Sequence, residues 1–163
     1  MKLKLTISFR FVMAIACAAV GTFCLLKYFE PAEAKEYQIS GNLSIPSIGL
    51  NSDVTNLTLE NGELSTPTSI VGSFSRHKNS TLLIGHSNTV FSGLKNIRIG
   101  DIINYNDKPY RIYKSQITEK SNISMKELLS ENETDTIILM TCFGEMYADG
   151  DASHRLIIFA SSI

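Results

Sequence analysis

The sequence predicts a mainly β domain with one or two short helices, preceded by an N-terminal transmembrane helix. Short apolar runs of strand length, bounded by Gly, Pro, Asn and Asp, recur between residues 42 and 160, and this pattern is typical of strands. Helical spacing is confined to segments of one or two turns. The chain has 163 residues, and the roughly 130 that follow the N-terminal segment are enough for one hydrophobic core. We therefore expect a single domain.

The N-terminal segment has the pattern of a membrane anchor. Its basic residues come first and are Lys2, Lys4 and Arg10. The segment 11–29 follows, largely apolar and close to the length of a membrane-spanning helix. Basic residues before such a run keep the N-terminus in the cytoplasm. We therefore expect residues 1–10 to be cytoplasmic, and the rest of the chain to be held at the cell membrane by a single span.

A short tether separates this segment from the domain. Residues 30–38 are polar and alanine-rich, which predicts a linker, so the extracytoplasmic domain comprises residues 39–163. The triplet Ala32-Glu-Ala34 has a small-x-small pattern and leaves an alternative open, in which a secretory peptide is cleaved near Ala34. In either case the domain works outside the cytoplasm.

Charge and cysteine content narrow the function classes. The net charge of −1 provides no basic field, so nucleic acid is excluded as a partner. Cys17 and Cys24 lie in the N-terminal apolar run, which leaves Cys142 alone in the domain. A lone thiol in an exported domain forms an intermolecular bond, is reactive, or is a small buried hydrophobe.

The sequence of the first half of the domain predicts two strands followed by a long irregular connection. Residues 42–50 alternate apolar and polar, and Pro46 requires an edge position or a strand end. Residues 53–61 indicate a weakly defined second strand or turn. Residues 62–80 are rich in Ser, Thr, Gly and Pro and predict an irregular connection, with one short strand near residues 70–71.

A short helix is predicted over residues 87–101. The apolar residues keep helical spacing for about two turns, and they are Val90, Phe91, Leu94 and Ile97.

The next segments predict a hairpin and a second, shorter helix. Residues 101–105 and 110–117 have strand character and flank a polar turn at 106–109, which favours a β-hairpin. Ser124 precedes a short apolar segment by the spacing of a capping box, with Glu127 at the third position, so we expect one helical turn there.

Three strands each carry one reactive side chain at an end. The segment 136–142 is apolar up to Cys142, and the segment 81–87 is apolar up to His86. Arg155 lies at the start of the apolar segment 154–160. If the strands of Cys142 and Arg155 pair antiparallel, and those of Cys142 and His86 are parallel neighbours, all three side chains meet at one rim of the sheet.

Each of these residues also has an ordinary explanation. His86 is compatible with a hydrogen-bonded histidine at a strand end, and Arg155 with a surface ion pair to Asp149 or Asp151. Thr141 either contributes its hydroxyl or backbone N–H to a substrate or simply ends a strand. Two further histidines are interpreted as peripheral: His154, on the opposite face from Arg155, and His77, in a polar loop.

The chemistry of the trio favours catalysis. A thiol attacks an amide as its thiolate, so Cys142 needs a base close by. His86 would protonate a leaving amine and later deprotonate an incoming one. Arg155 would stabilise the oxyanion of the tetrahedral intermediate.

These residues resemble those of a sortase, a family of membrane-anchored cysteine transpeptidases. The resemblance extends over most of residues 42–160 and is carried by Leu43 to Leu50, Leu83-Ile-Gly-His86, Ile99-Gly-Asp101, Leu139-Met-Thr-Cys142 and Arg155-Leu156. It implies an eight-stranded β-barrel with His86, Cys142 and Arg155 in one groove. It also implies a thiol protease reaction: cleavage after Thr in a Leu-Pro-x-Thr-Gly-type sorting signal, then transfer of the acyl group to an amine of the cell wall or a pilin.

The sequence also bears on the class within the family, on cofactors and on alternative functions. We see no lid segment before the first strand, which argues against the pilus-polymerising class. No cofactor is required, although Glu145, Asp149 and Asp151 leave calcium as an alternative. Two other functions stay open: a non-catalytic, membrane-anchored peptide-binding domain, and another envelope cysteine enzyme such as an L,D-transpeptidase or peptidase.

Overall fold

Ten strands make up most of the part of the chain that the computed structural model describes, which is residues 36–60, 63–130, 132–148 and 151–163. They are β1 (Ile39–Ile45), β2 (Leu50–Asn56), β3 (Leu59–Glu60), β4 (Glu63–Leu64), β5 (Val71–His77), β6 (Ser80–Ile84), β7 (Ile102–Tyr105), β8 (Lys108–Glu119), β9 (Thr136–Met146) and β10 (Ala152–Ser162). Eight of them close into a barrel in the order β1-β2-β5-β6-β9-β10-β8-β7, and β3 pairs with β4. The predicted eight-stranded β-barrel is confirmed.

The start of the barrel contains a tighter corner than the sequence predicted. The strand expected over residues 42–50 ends at Ile45, where a 3-10 turn over Pro46–Ile48 leads into the antiparallel strand β2. The weakly defined strand or turn expected over residues 53–61 is the rest of β2 followed by β3. Proline suits the first position of such a turn because its missing N–H would have no partner there. Gly49 follows with a φ of 64°, a value that glycine adopts without strain. Pro46 therefore marks a strand end, as one of the two expectations had it.

The prediction of an irregular connection over residues 62–80 is wrong. This segment contains β4, the seven residues of β5 and the start of β6. The first three residues of β5, Val71 to Ser73, are all buried, and the Leu57 side chain lies against Gly72. A strand that begins with three buried residues lacks the alternation by which strands are recognised.

The predicted helix over residues 87–101 is also wrong, although Phe91 and Leu94 are buried and Val90 and Ile97 are partly buried against the core. The segment forms successive turns that end in a 3-10 helix over Leu94–Asn96. Most of its backbone hydrogen bonds reach back three residues, as from Leu94 N to Phe91 O at 3.0 Å. Gly93 lies in the middle of the segment, and glycine disfavours a continuous α-helix.

The hairpin and the helical turn are confirmed. β7 and β8 pair antiparallel around Asn106 and Asp107, whose φ values of 50° and 62° are those of a tight two-residue turn. One α-helical turn, α1, spans Met125–Leu128, and the Ser124 hydroxyl accepts a hydrogen bond from the Glu127 backbone N–H at 3.3 Å.

Two apolar layers lie on either side of the barrel wall. One layer fills the barrel, where Leu139 and Leu83 are fully buried. The other covers the outer face of β6, β9 and β10, and its buried members are Leu82, Leu129, Ile138 and Ile157. Side chains alternate between the two layers along each strand, so the outer wall carries an apolar surface of its own.

The predicted transmembrane helix over residues 11–29 lies outside the described residues. Within the described ranges, none of the helices combines the length and apolar character that crossing a bilayer requires.

Candidate active site

Cys142 and Arg155 are direct partners across two antiparallel strands. Cys142 on β9 is in register with Arg155 on β10. Residues directly opposite in an antiparallel pair have Cα atoms about 4.5–5.5 Å apart. Ile138 on β9 and Ile157 on β10 belong to the outer apolar layer, and both are an even number of residues from this pair. Cys142 and Arg155 therefore lie on the outer face of the barrel. The antiparallel pairing of their strands, which the sequence predicted, is confirmed.

His86 lies level with Cys142 because β6 and β9 are parallel neighbours. Ile84, the last residue of β6, is in register with Met140, and His86 follows Ile84 by two residues as Cys142 follows Met140. The Gly85 N–H continues the pairing by donating to the Met140 carbonyl at 3.4 Å. The predicted parallel pairing of these two strands is therefore confirmed, but the expectation that β9 ends at Cys142 is wrong, because β9 continues to Met146.

The chain around His86 is fixed on both sides. The buried Thr141 hydroxyl donates to the Gly85 carbonyl at 2.7 Å. The His86 carbonyl accepts from the backbone N–H groups of Thr89 and Phe91 at 3.3 and 3.0 Å. These bonds hold the backbone of His86 beside β9.

All three candidate residues line one cleft of about 630 Å³ on the outer wall. Its other lining residues are Leu59, Leu64, Thr66, Phe74, Arg76, Ile84, Gly85, Met125, Leu129, Met140 and Thr141. Most are apolar, and they come from three sides: the β3–β4 hairpin, the barrel wall and the region of α1. An apolar cleft with a few polar groups at one end is the usual form of a binding site.

Cys142 is a free thiol that is neither sealed in the interior nor fully exposed. It lines the cleft, so a substrate bound there can reach its sulfur.

The guanidinium of Arg155 is held by its own strand and by an ion pair. Nη1 donates to the carbonyls of Ala152 and His154 at 2.9 and 3.0 Å. Nη2 contacts Asp151 Oδ1 at 2.5 Å. The ion pair with Asp151, which the sequence offered as the ordinary explanation of Arg155, therefore coexists with a position in the cleft.

Asp151 bridges two cations. Its carboxylate also contacts Lys120 and accepts from the Ala152 N–H at 2.8 Å. Hydrogen bonds from Lys120, then from Ala152 and Arg155, hold the pKa of the Asp151 carboxyl well below its usual range. Asp151 therefore stays ionised throughout the neutral range.

Two histidines lie away from the trio. His154 bonds Ser153 through its Nδ1 at 2.8 Å, and it does not line the cleft. His77 is exposed at the end of β5.

The calcium alternative stays a prediction. Asp149 lies outside the described residues, and elsewhere in the described ranges no three His, Cys, Asp or Glu side chains cluster as a metal site would need.

Sequence reasoning missed most of the cleft wall. Leu59, Leu64 and Met125 were not assigned to a site, and neither was Arg76. Phe74 and Arg76 are two residues apart on β5, so their common face follows from strand periodicity. This periodicity could not be used to assign the two residues to a site, because the sequence analysis did not predict β5 as a strand over these residues.

Comparison with known proteins agrees with this architecture. A sequence profile of the sortase domain matches residues 43–163. Sortase D of Bacillus subtilis (strain 168) is 31% identical over 86 residues, an alignment that covers 50% of this chain and 42% of that relative's length. The chain thus spans less than half of the curated relative that it matches.

Solved structures share the fold at low sequence identity. A lid mutant of sortase A from Corynebacterium diphtheriae has a TM-score of 0.62 and 22% identity, covering 85% of this chain and 78% of that one. Listeria monocytogenes sortase A has a TM-score of 0.60 and 15% identity, covering 77% and 87%. Sortase C1 from Streptococcus suis has a TM-score of 0.60 and 18% identity, covering 100% and 89%.

The fold and the cleft define a closed β-barrel protein with a thiol, an imidazole and a guanidinium on its outer wall. The profile match covers well over half of the sequence, and the chain belongs to the sortase family.

Proposed function

We propose that this protein is a cysteine transpeptidase that cleaves a Leu-Pro-x-Thr-Gly-type sorting signal after Thr and transfers the acyl group to an amine. The observation that carries the proposal is the register of three strands, which brings Cys142, Arg155 and His86 to one cleft. In this proposal Cys142 is the nucleophile, His86 the acid and base, and Arg155 the electrostatic stabiliser.

The first half-reaction forms a thioester. The Cys142 thiolate attacks the carbonyl carbon of Thr, and the carbonyl oxygen becomes an oxyanion. Arg155 stabilises this oxyanion, because a guanidinium at the rim of a partly apolar cleft acts on charge as it develops. The C–N bond then breaks, and protonated His86 gives its proton to the leaving amine.

The second half-reaction restores the thiolate. Neutral His86 takes a proton from the incoming amine, and the amine nitrogen attacks the thioester carbonyl. The C–S bond breaks, and an amide forms. Water is the competing nucleophile and would give hydrolysis, so the acceptor must occupy the thioester before water does.

The lining of the cleft supports a peptide with apolar residues before the cleaved bond. Leu64, Phe74 and Met140 are partly buried members of the outer apolar layer that also face the cleft. Covering such surface with Leu and Pro side chains stabilises the complex by about 25 cal/mol per Å² of apolar area removed from water. The same surface offers little to a strongly polar segment.

The setting of the reaction is proposed from the sequence. The basic and then apolar segment 1–29 supports a single-pass anchor in the cell membrane, with the barrel outside. Surface proteins carrying the sorting signal would be the donors, and cell-wall precursors or pilins would provide the acceptor amine. No cofactor is needed by the mechanism above.

The test is a peptide assay with the purified full chain. A fluorogenic panel of Leu-Pro-x-Thr-Gly peptides is mixed with the protein, with and without an added amine, and the thioester is sought by intact mass. We expect an adduct on Cys142, faster turnover with amine than without, and no reaction for Cys142→Ala.

Matched controls separate catalysis from general damage. His86→Ala should abolish turnover, whereas His77→Ala, at an exposed histidine outside the cleft, should leave it unchanged. Wild-type protein that behaves like Cys142→Ala across the panel would contradict the proposal. Saturable peptide binding without an adduct, together with a Cys142 that iodoacetamide does not alkylate at neutral pH, would instead indicate a non-catalytic binding domain.

A further inference from the structure

Asp151 is the acidic residue that the structure places on the guanidinium of Arg155. Its Oδ1 contacts Nη2 at 2.5 Å, and the two side chains are largely buried, with 25% and 14% of their surface exposed. Asp151 stands immediately before β10, four residues from Arg155. The ion pair is therefore built into the start of the strand that faces Cys142.

The hydrogen bonds of Arg155 leave some of its guanidinium N–H groups available. A guanidinium has five N–H groups, and the bonds to Asp151, Ala152 and His154 use three of them. These three bonds are all to residues 151–154 on the same chain segment. Arg155 also lines the cleft, so the N–H groups not used by these bonds can serve a ligand bound there.

The Asp151 carboxylate is shared between two cations. It contacts Lys120 through one oxygen and Arg155 through the other, so it is not committed to Arg155 alone.

We propose that Asp151 is a positioning residue, which holds the Arg155 guanidinium opposite Cys142 so that its remaining N–H groups meet the oxyanion of the tetrahedral intermediate. This inference rests on the proposed function for the role of Arg155. The physical reason is preorganisation: a long flexible side chain that is already fixed needs no ordering during the reaction.

The first arm of the test measures order and needs no activity. In the 15N-arginine-labelled full chain, the side-chain N–H signal of Arg155 is assigned by its loss in Arg155→Lys. We expect its hydrogen exchange to be at least about tenfold faster in Asp151→Asn and Asp151→Ala than in the wild type. Unchanged exchange in both variants would overturn the proposal whether or not the protein is an enzyme.

The second arm measures the reaction. We expect kcat to fall by about tenfold to a hundredfold in Asp151→Ala and less in Asp151→Asn, which keeps an acceptor oxygen. KM should stay within about twofold. A kcat that is unchanged or raised, with faster Arg155 exchange, would overturn a positioning role.

Asp135→Asn is the matched control. Like Asp151, Asp135 bonds a lysine and one further side chain, Lys108 at 2.7 Å and Tyr110 at 3.0 Å. It stands immediately before β9, at the end of that strand away from the cleft. The Asp135→Asn variant should have a lower melting temperature but an unchanged kcat and an unchanged Arg155 signal. A wild type that forms no thioester would refute the proposed function, and the exchange arm would still decide whether Asp151 orders Arg155.

Discussion

The hydroxyl of Thr141 donates a 2.7 Å hydrogen bond to the carbonyl of Gly85. This buried bond joins the residue before Cys142 to the residue before His86. The middle of β9 and the end of β6, which are far apart in the sequence, are thereby fixed relative to one another at the candidate active site.

Thr141→Val should loosen the chain around His86 from β9. The substitution keeps the shape of the side chain but leaves the Gly85 carbonyl without this donor, so we expect a loss of about 1–2 kcal/mol in the free energy of unfolding. We also expect slower thioester formation, because His86 is no longer held level with Cys142. Denaturant unfolding and single-turnover mass spectrometry measure the two effects.

Thr136→Val is the control for that variant. Thr136 is also buried on β9, and its hydroxyl donates to the Thr134 carbonyl at 3.0 Å, at the end of the strand away from the cleft. It should cost similar stability and leave the rate of thioester formation unchanged. Equal losses of rate in both variants would mean that the Thr141 bond has no special link to the site.

Gly85→Ala should disturb the site by a steric route. An added Cβ would lie 2.7 Å from Val90 Cγ1 and 2.8 Å from a ring carbon of Phe91, so the turn after His86 must shift. We expect a loss of about 1–3 kcal/mol in stability and reduced turnover. At Gly93 the nearest atom to an added Cβ is Ile48 Cβ at 3.6 Å, so Gly93→Ala should be mild in both assays.

Arg155→Ala should lower kcat by about a hundredfold to a thousandfold, which is the usual cost of removing one oxyanion donor. KM should change little, because the interaction strengthens only in the transition state. Arg155→Lys keeps the charge but not the fork and should recover part of the rate. Arg111→Ala, at an exposed arginine on β8, should match the wild type; a KM effect alone in Arg155→Ala would assign Arg155 to substrate binding.

Tyr110→Phe should change the alkaline stability of the barrel. Burial, and then the hydrogen bond to Asp135, raise the pKa of Tyr110 above its ordinary value. The neutral phenol is therefore favoured by folding, and its contribution is complete below about pH 10, the unfolded pKa, and is lost as the pH rises above it. The wild type should be more stable than Tyr110→Phe by about 1 kcal/mol at pH 8, and the difference should narrow above pH 10. Melting curves that stay parallel through that range would contradict this.

Cys142, His86 and Arg155 were predictable from the sequence because each ends or begins an apolar run. Their expected positions at strand ends hold only for His86, which follows β6, because β9 continues past Cys142 to Met146 and β10 begins at Ala152. The uninterrupted apolar runs before Cys142 and His86 occur because β9 and β6 are packed on both faces, with the barrel interior on one side and the outer layer on the other. Strands of this kind are recognisable even without alternation.

The secondary-structure prediction was wrong for two segments, and each error has a physical reason. β5 begins with a buried stretch that includes Gly72 and Ser73, small residues whose burial depends on neighbours that sequence does not reveal. Residues 87–97 have helical spacing of apolar groups, but successive turns and a 3-10 helix bring the same residues against the core, with Phe91 and Leu94 buried and the other two partly buried. Spacing determines which side chains are buried more reliably than it determines the hydrogen-bond pattern.

The order of strands around the barrel has a consequence for biosynthesis. β9 lies between β6 and β10, and β10 lies between β9 and β8, so closure of the barrel waits until these two strands, which follow the other six barrel strands in the sequence, have been made. Until they insert, the sulfur has neither its imidazole nor its guanidinium neighbour. The nascent chain therefore carries a thiol that lacks its reaction partners, and these assemble only once almost the entire domain has been synthesised and has folded.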